Sequence, residues 1–294
     1  MTRPQATMIG FVAVLLWSLL ALFTVGSAPT PPLLLNAICF AIGGTLGLIW
    51  VATTGELQQL REVPLHVYAF GTLGIFGYHA LYFSALRLSP AAEAGLIAYL
   101  WPLLIVLLSS LLPGEHLRRG HVLGACLGFG GAALIILGGD GAGFDPAHLP
   151  GYGLALACAL TWSGYSVLSR KLGAVPTSSV VVFCLASALL SAGLHLAVED
   201  TVWPDGPLGW ASIIGLGLGP VGLAFYVWDI GVKQGDIQML GTASYAAPLL
   251  STMLLVLTGI ASATWSLGLA AVLISGGAAL AARASLSSGQ VDRR

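Results

Sequence analysis

The stretch Gly130-Gly131-Ala132-Ala133-Leu134 returns as Gly276-Gly277-Ala278-Ala279-Leu280, a shift of 146 positions. At the same shift Tyr99 and Pro102 return as Tyr245 and Pro248, and Arg87 falls on Lys233. One position less brings Leu16-Trp17-Ser18 onto Thr161-Trp162-Ser163. A single match of this kind is expected by chance in a chain rich in Leu, Ala and Gly. In one order, across nearly the whole length, the matches mark an internal duplication. Composition says where the duplicated unit resides. Of 294 residues, 57% are hydrophobic and 8% charged, and mean hydropathy is +0.91; a soluble domain is roughly 25% charged. No soluble core hides that much apolar surface, so lipid must be the solvent for most of the chain. In hydrocarbon only helices and closed barrels satisfy their own backbone. The apolar runs here are long and continuous rather than short and alternating, so the expected fold is all-α and membrane-spanning.

Runs of about 20 apolar residues between turn or charge signals predict ten spans, near 7–27, 32–53, 64–86, 91–112, 120–138, 150–171, 178–197, 209–232, 238–259 and 264–284. Five spans per copy is odd, so the second copy must lie upside down relative to the first. The expected organisation is a five-helix repeat over 1–140, a second, inverted repeat over 148–287, and a short cytoplasmic tail over 288–294. The apolar first run preceded by Arg3 could be read as a signal peptide, but its later copy around Trp162 argues for a permanent span. The positive-inside rule sets orientation. Placing the N-terminus in the cytoplasm puts ten of the eleven Lys and Arg on the inside and only Arg87 outside. Both termini are therefore expected in the cytoplasm of a multi-pass inner-membrane protein.

With the Trp-Ser step in the first helix of each copy and the Gly-Gly-Ala-Ala stretch in the last, the halves look like two EamA-like units. The chain resembles the drug/metabolite transporter superfamily over nearly its whole length, and within it YddG-type exporters of aromatic and other amino acids. The resemblance implies alternating access around a site near the membrane midplane, with amino acids as the small-molecule substrate; inverted repeats are a transporter feature in their own right.

Among the tryptophans, Trp50 and Trp228 fall near the inner ends of their spans and Trp203, Trp210 and Trp265 near the outer ends, as interfacial anchoring favours. Trp17, Trp101 and Trp162 fall near mid-span instead. An indole N–H unsatisfied in hydrocarbon costs roughly several kcal/mol, so these rings should face the bundle interior, either lining a substrate cavity or packed with a local acceptor. Tyr78 and Tyr82, four apart, share a helix face, with His79 beside them. Pro102 and Pro248 remove an N–H at mid-span and free the carbonyls of Ala98 and Ser244, as kinks or as ligand acceptors. Tyr99 and Tyr245 lie one turn earlier, and the hydroxyls of Ser163 and Ser244 offer further hydrogen bonds. His79, Glu93 and Asp229 are the ionisable groups inside spans, and hence candidates for gating or proton sensing. Glu93 also suits the first turn of a helix, and Asp229 has Lys233 one turn on.

Several classes are excluded or disfavoured. The net charge of −1 and the lack of a basic patch leave nucleic acid without a footing. Cys39, Cys126, Cys158 and Cys184 form no metal-binding spacing, and no HExxH or GxSxG motif is present. No enzyme, metal, cofactor or ATP-driven mechanism is expected. Nucleoside and nucleotide-sugar transport remains the alternative substrate reading, weakened because no Lys or Arg lies deep in a span to meet phosphate. A monomer suffices for the expected architecture. The scarcity of ionisable groups inclines the driving force toward the substrate's own gradient.

Overall fold

The computed structural model describes residues 1–137, 145–260 and 262–291, and among them holds fifteen α-helices and no strand. The first half of the chain folds as α1 (Arg3–Trp17), α2 (Leu20–Gly26), α3 (Pro32–Thr54), α4 (Leu57–Glu62), α5 (Leu65–Leu88), α6 (Ala91–Ala98), α7 (Trp101–Leu108) and α8 (Arg119–Ile136). The second half follows as α9 (Leu149–Lys171), α10 (Val180–Val198), α11 (Gly206–Leu218), α12 (Ala224–Gln234), α13 (Ile237–Ala243), α14 (Ala246–Leu257) and α15 (Trp265–Val291). Prolines open several of them: Pro32 and Pro150 sit in first turns and Pro64 caps α5, positions where a missing N–H costs nothing. The residues expected at the first repeat's end, from Gly138 to Asp140, lie outside the described residues. The tail expected from residue 288 includes the end of α15 at Val291, and residues 292–294 lie outside the described residues.

Eight segments are long and apolar enough to cross a membrane. They are α3, α8, α10, α15 and four composites: α1 with α2, α6 with α7, α11 with α12, and α13 with α14. The 24-residue α5 and 23-residue α9 are long enough at about 1.5 Å per residue, but are not apolar enough to be counted. Their position explains the difference. They pack on each other, and α9 also touches α6, α7 and α12. A helix surrounded by helices has little lipid to satisfy and can carry Tyr, Trp, Ser and His.

Each composite breaks near its middle. Between α6 and α7, Pro102 has no N–H to give Ala98, and the next amide, that of Leu103, bonds the Tyr245 hydroxyl at 3.1 Å instead of its own helix. The repeat-related break, between α13 and α14, falls at Ser244-Tyr245. Ser18 and Leu19 separate α1 from α2, while Pro220 accompanies a π-helical turn, Gly219–Leu223, between α11 and α12. Mid-span irregularity of this kind is tolerated where it is buried in protein.

Glycines set the closest crossings. A Cβ on Gly10 would stand 2.7 Å from the Gly231 Cα, and one on Gly231 would stand 2.5 Å from the Gly10 Cα, so α1 and α12 touch backbone to backbone. The two Gly-Gly-Ala-Ala copies lie in α8 and α15, which pack against each other with Gly124 against Gly277. In membranes, where burial supplies no force between helices, such small-residue contacts carry association. Gly231→Val should force α1 and α12 apart, lower thermal stability by about 1–3 kcal/mol or more, and shift the unfolding midpoint in detergent downward. An unshifted midpoint would show that the crossing yields without strain.

Candidate functional site

Four indoles meet in the bundle interior. Trp17 lies 5.9 Å from Trp101, 6.0 Å from Trp162 and 5.1 Å from Trp228, centroid to centroid. Trp101 is edge-on to Trp162 at 6.3 Å and to Trp228 at 5.9 Å. Such T-shaped pairs suit the ring quadrupoles. Each tryptophan comes from a different composite or central helix: α1, α7, α9 and α12. Rise per residue places the cluster midway, because Trp162 is eight residues from Arg170 at one end and Tyr78 nine from Arg87 at the other, about 12 and 14 Å along their helices.

The structure thus brings together the three mid-span tryptophans and adds a fourth. Trp228, which depth counting assigned to the interfacial belt, is fully buried. A π-helical turn at Gly219–Leu223 directly precedes its helix and shifts the register of the faces across it, and no sequence period reveals such a turn. The neighbouring shell was equally hidden. Phe225 lies 5.7 Å from Trp162, Tyr165 stacks on it at 5.3 Å, and Phe40 and Phe225 flank His79 at 5.2 and 6.2 Å.

Tyr78 contacts Trp162 at 5.6 Å and stacks on Tyr82 at 6.3 Å with 8° between planes, so the four-residue spacing does place them on one face. Tyr99 closes the group 6.4 Å from Trp101, at the break where α6 stops at Ala98.

Hydrogen bonding divides these residues into two sets. The Trp17 Nε1 donates to the Pro220 carbonyl at 3.2 Å, using the irregular turn of α11–α12, and the Trp228 Nε1 donates to Ser166 Oγ at 3.1 Å. By contrast, the indole N–H groups of Trp101 and Trp162 and the hydroxyls of Tyr78, Tyr82 and Tyr99 have no hydrogen-bond partner among the described residues. Five donors around one aromatic region therefore have no acceptor among the described residues.

Other sequence candidates go elsewhere. Ser163 and Ser244 are fully buried and return their hydroxyls to their own helices, to Leu160 O at 3.2 Å and Leu240 O at 2.7 Å. Tyr245, also buried, spends its hydroxyl on the Leu103 amide and packs against Phe129 at 6.3 Å, so it ties the two breaks together and stands outside the indole cluster. Pro102 and Pro248 sit in the first turns after those breaks. His79 bonds Ile75 O through Nδ1 at 2.8 Å. Asp229 pairs with Lys233 at 2.9 Å and accepts from Thr177 Oγ1 at 2.7 Å, which satisfies the carboxylate within the protein. Glu93 lies buried in the first turn of α6.

Polar layers bound the cluster on both sides. On the N-terminal side, Glu115 pairs with Arg3 at 3.0 Å and with Arg170; Arg3 also lies 3.7 Å from Asp236, and Arg170 Nη1 donates to the carbonyls of Val232 and Gly235 at 2.9 and 2.8 Å. On the far side, Glu199 accepts from the amides of Leu33 and Leu34 and pairs with His195 at 2.9 Å and Arg87 at 3.4 Å. No Lys or Arg lies in the aromatic layer between them among the described residues.

Comparison with known proteins matches this arrangement to one family. The model of the EamA-like transporter family matches twice, over residues 5–137 and 149–283. The aromatic amino acid exporter YddG of Ancylobacter novellus is 53% identical over 283 residues, covering 96% of this chain and 98% of that protein. The protein of the same name from Escherichia coli is 28% identical over 95% of this chain and 97% of its own length. A solved structure, described only as the crystal structure of a protein, is 53% identical and agrees with a TM-score of 0.92 over 95% of this chain and 97% of its own. With helices long enough to cross a membrane and relatives that are named exporters, the chain is a transporter and not an enzyme, and it belongs to the EamA-like transporter family.

Proposed function

We propose that the protein exports aromatic and other neutral amino acids across the bacterial inner membrane by alternating access. In this reading α5 and α9 join the eight apolar segments to make ten spans, arranged as two inverted five-helix repeats over 1–140 and 148–287, with both termini in the cytoplasm. The sequence shift of 145–146, the double match of the family model and the paired helix breaks support the repeat. The observation that carries the substrate is the set of five unpartnered donors on Trp101, Trp162, Tyr78, Tyr82 and Tyr99. A zwitterion brings a carboxylate to accept them and an ammonium that aromatic faces attract, while an aromatic side chain stacks on the indoles. The names of the two exporters above point the same way. A phosphorylated solute lacks a cation in this layer to neutralise it. Transport down the substrate's own gradient accounts for the few ionisable groups in the layer.

In proteoliposomes holding only this protein, unlabelled tryptophan, phenylalanine and tyrosine should compete with labelled tryptophan for flux, while nucleosides and sugar phosphates should not. Competition by a sugar phosphate as effective as that by tryptophan would overturn the assignment. An imposed pH gradient should leave the steady-state distribution of tryptophan unchanged; uphill accumulation would replace the gradient-driven reading with proton coupling.

A further inference from the structure

A cleft of about 1230 Å³, apart from the indole cluster, opens on the N-terminal side of the bundle. One wall is the outer face of α1, including Met8, Val12 and Leu15; the other is α15 with Ala278, Ala282 and Leu286, and α13 supplies the floor. Met8 and Leu286 are about three-quarters exposed (74% and 75%), so the cleft opens sideways between spans, where lipid would stand. Its apolar length, from the level of Arg3 to Leu15, is about 18 Å at the helical rise, enough for most of an acyl chain in one leaflet. Small Ala278 and Ala282, one turn apart, leave the trough deep.

The polar end of the cleft carries donors in excess. Arg3, half exposed, meets Glu115 and Asp236 through Nη2, leaving Nη1 and Nε without a partner among the described residues. Gln238 also lines the cleft, is 2% exposed, and its Nε2 has no hydrogen-bond partner among the described residues. A buried amide left unmade costs roughly 1–3 kcal/mol, and the terminal torsion of a glutamine is soft enough to turn it toward the cleft. Guanidinium and amide donors together suit anionic oxygen, and the trough behind them suits hydrocarbon. An ammonium on the same ligand would find Glu115 and Asp236 beside it.

We propose that this cleft is a binding site for one glycerophospholipid of the leaflet on the N-terminal side, its phosphate on Arg3 and Gln238 and an acyl chain along α1 and α15. The site is independent of the aromatic layer and does not rest on the substrate assigned there. A lipid so placed would wedge between α1 and α15, beside the ion-pair network that joins the two halves of the chain.

The test uses the full chain, delipidated in detergent, and reads bound lipid by native mass spectrometry alongside thermal unfolding. The probes are dioleoyl phosphatidylethanolamine, dioleoyl phosphatidylglycerol, dioleoylglycerol without phosphate, and free tryptophan. Both phospholipids should bind and raise the unfolding midpoint, whereas dioleoylglycerol should do so at least tenfold more weakly. Gln238→Leu, which removes an unpaired buried amide and so should not harm folding, should weaken phospholipid binding about tenfold while leaving the lipid-free midpoint unchanged or higher. Ala282→Leu, filling the trough, should weaken it similarly. Equal retention of phospholipid by wild type and both variants would overturn the site. Displacement of bound phospholipid by millimolar tryptophan would overturn the lipid assignment in favour of a substrate vestibule.

Discussion

Trp162→Phe is expected to lower tryptophan flux about tenfold or more in proteoliposomes while the protein still folds. Phenylalanine keeps most of the ring that contacts Trp17, Tyr78, Tyr165 and Phe225, but removes the N–H, one of the five donors with no acceptor among the described residues. A hydrogen bond to a charged acceptor contributes about 1.5–3 kcal/mol, equivalent to roughly 10- to 100-fold in binding. Trp162→Ala is less informative, because deleting a buried indole costs about 3–5 kcal/mol of stability and mixes folding with function. The control is Trp228→Phe, whose N–H is used by Ser166: it should lower thermal stability with a smaller effect on the substrate concentration giving half-maximal flux. Unchanged flux kinetics in Trp162→Phe would reduce the indole to a packing residue.

Glu115→Gln should be strongly destabilising. The Glu115 side chain is 5% exposed, and it faces Arg170, at 17%, and Arg3. Glu115 precedes α8 in the first half, whereas Arg170 ends α9 in the second. Breaking a buried pair by neutralising one partner costs about 3–5 kcal/mol, because the remaining charge keeps its desolvation penalty. Here two guanidiniums would remain, one of them also holding the carbonyls that end α12. A fall in the unfolding midpoint, and partial recovery in Glu115→Asp, are the expected measurements. Arg87 and Glu199 on the opposite side offer a comparison: Arg87 is 55% exposed, so Arg87→Gln should cost under about 1 kcal/mol. Equal shifts for the two substitutions would show that both layers are equally open to water.

The spans were legible because hydropathy is a sum over some twenty residues and survives local irregularity. Span 32–53, read from the sequence, is matched by α3 at Pro32–Thr54, and span 178–197 by α10 at Val180–Val198. Tyr78 and Tyr82 were placed on one face because a helix repeats every 3.6 residues. Trp17 and Trp162 were paired because the duplication put them at one position of its two copies. Facing was another matter. Trp228, Tyr165 and Ser166 lie on helices whose period says which residues are neighbours along the axis but not which side meets the centre. Ser163 and Ser244 looked available as donors, yet each bonds a carbonyl of its own helix, a competition that local sequence does not display.

What the sequence by itself determined was the apolar, helical character and the duplication, since these depend on composition and on counting along the chain. Only the tertiary structure decided that four indoles touch, that Trp17 and Trp228 donate their N–H groups within the protein while Trp101 and Trp162 find no acceptor among the described residues, and that a cleft separates α1 from α15. Those outcomes depend on helix rotation, on a π-helical turn at Gly219–Leu223, and on glycine contacts such as Gly10 with Gly231. Each is set by pairs of residues that can lie more than two hundred positions apart, whose meeting is fixed by packing and leaves no periodic trace in the chain.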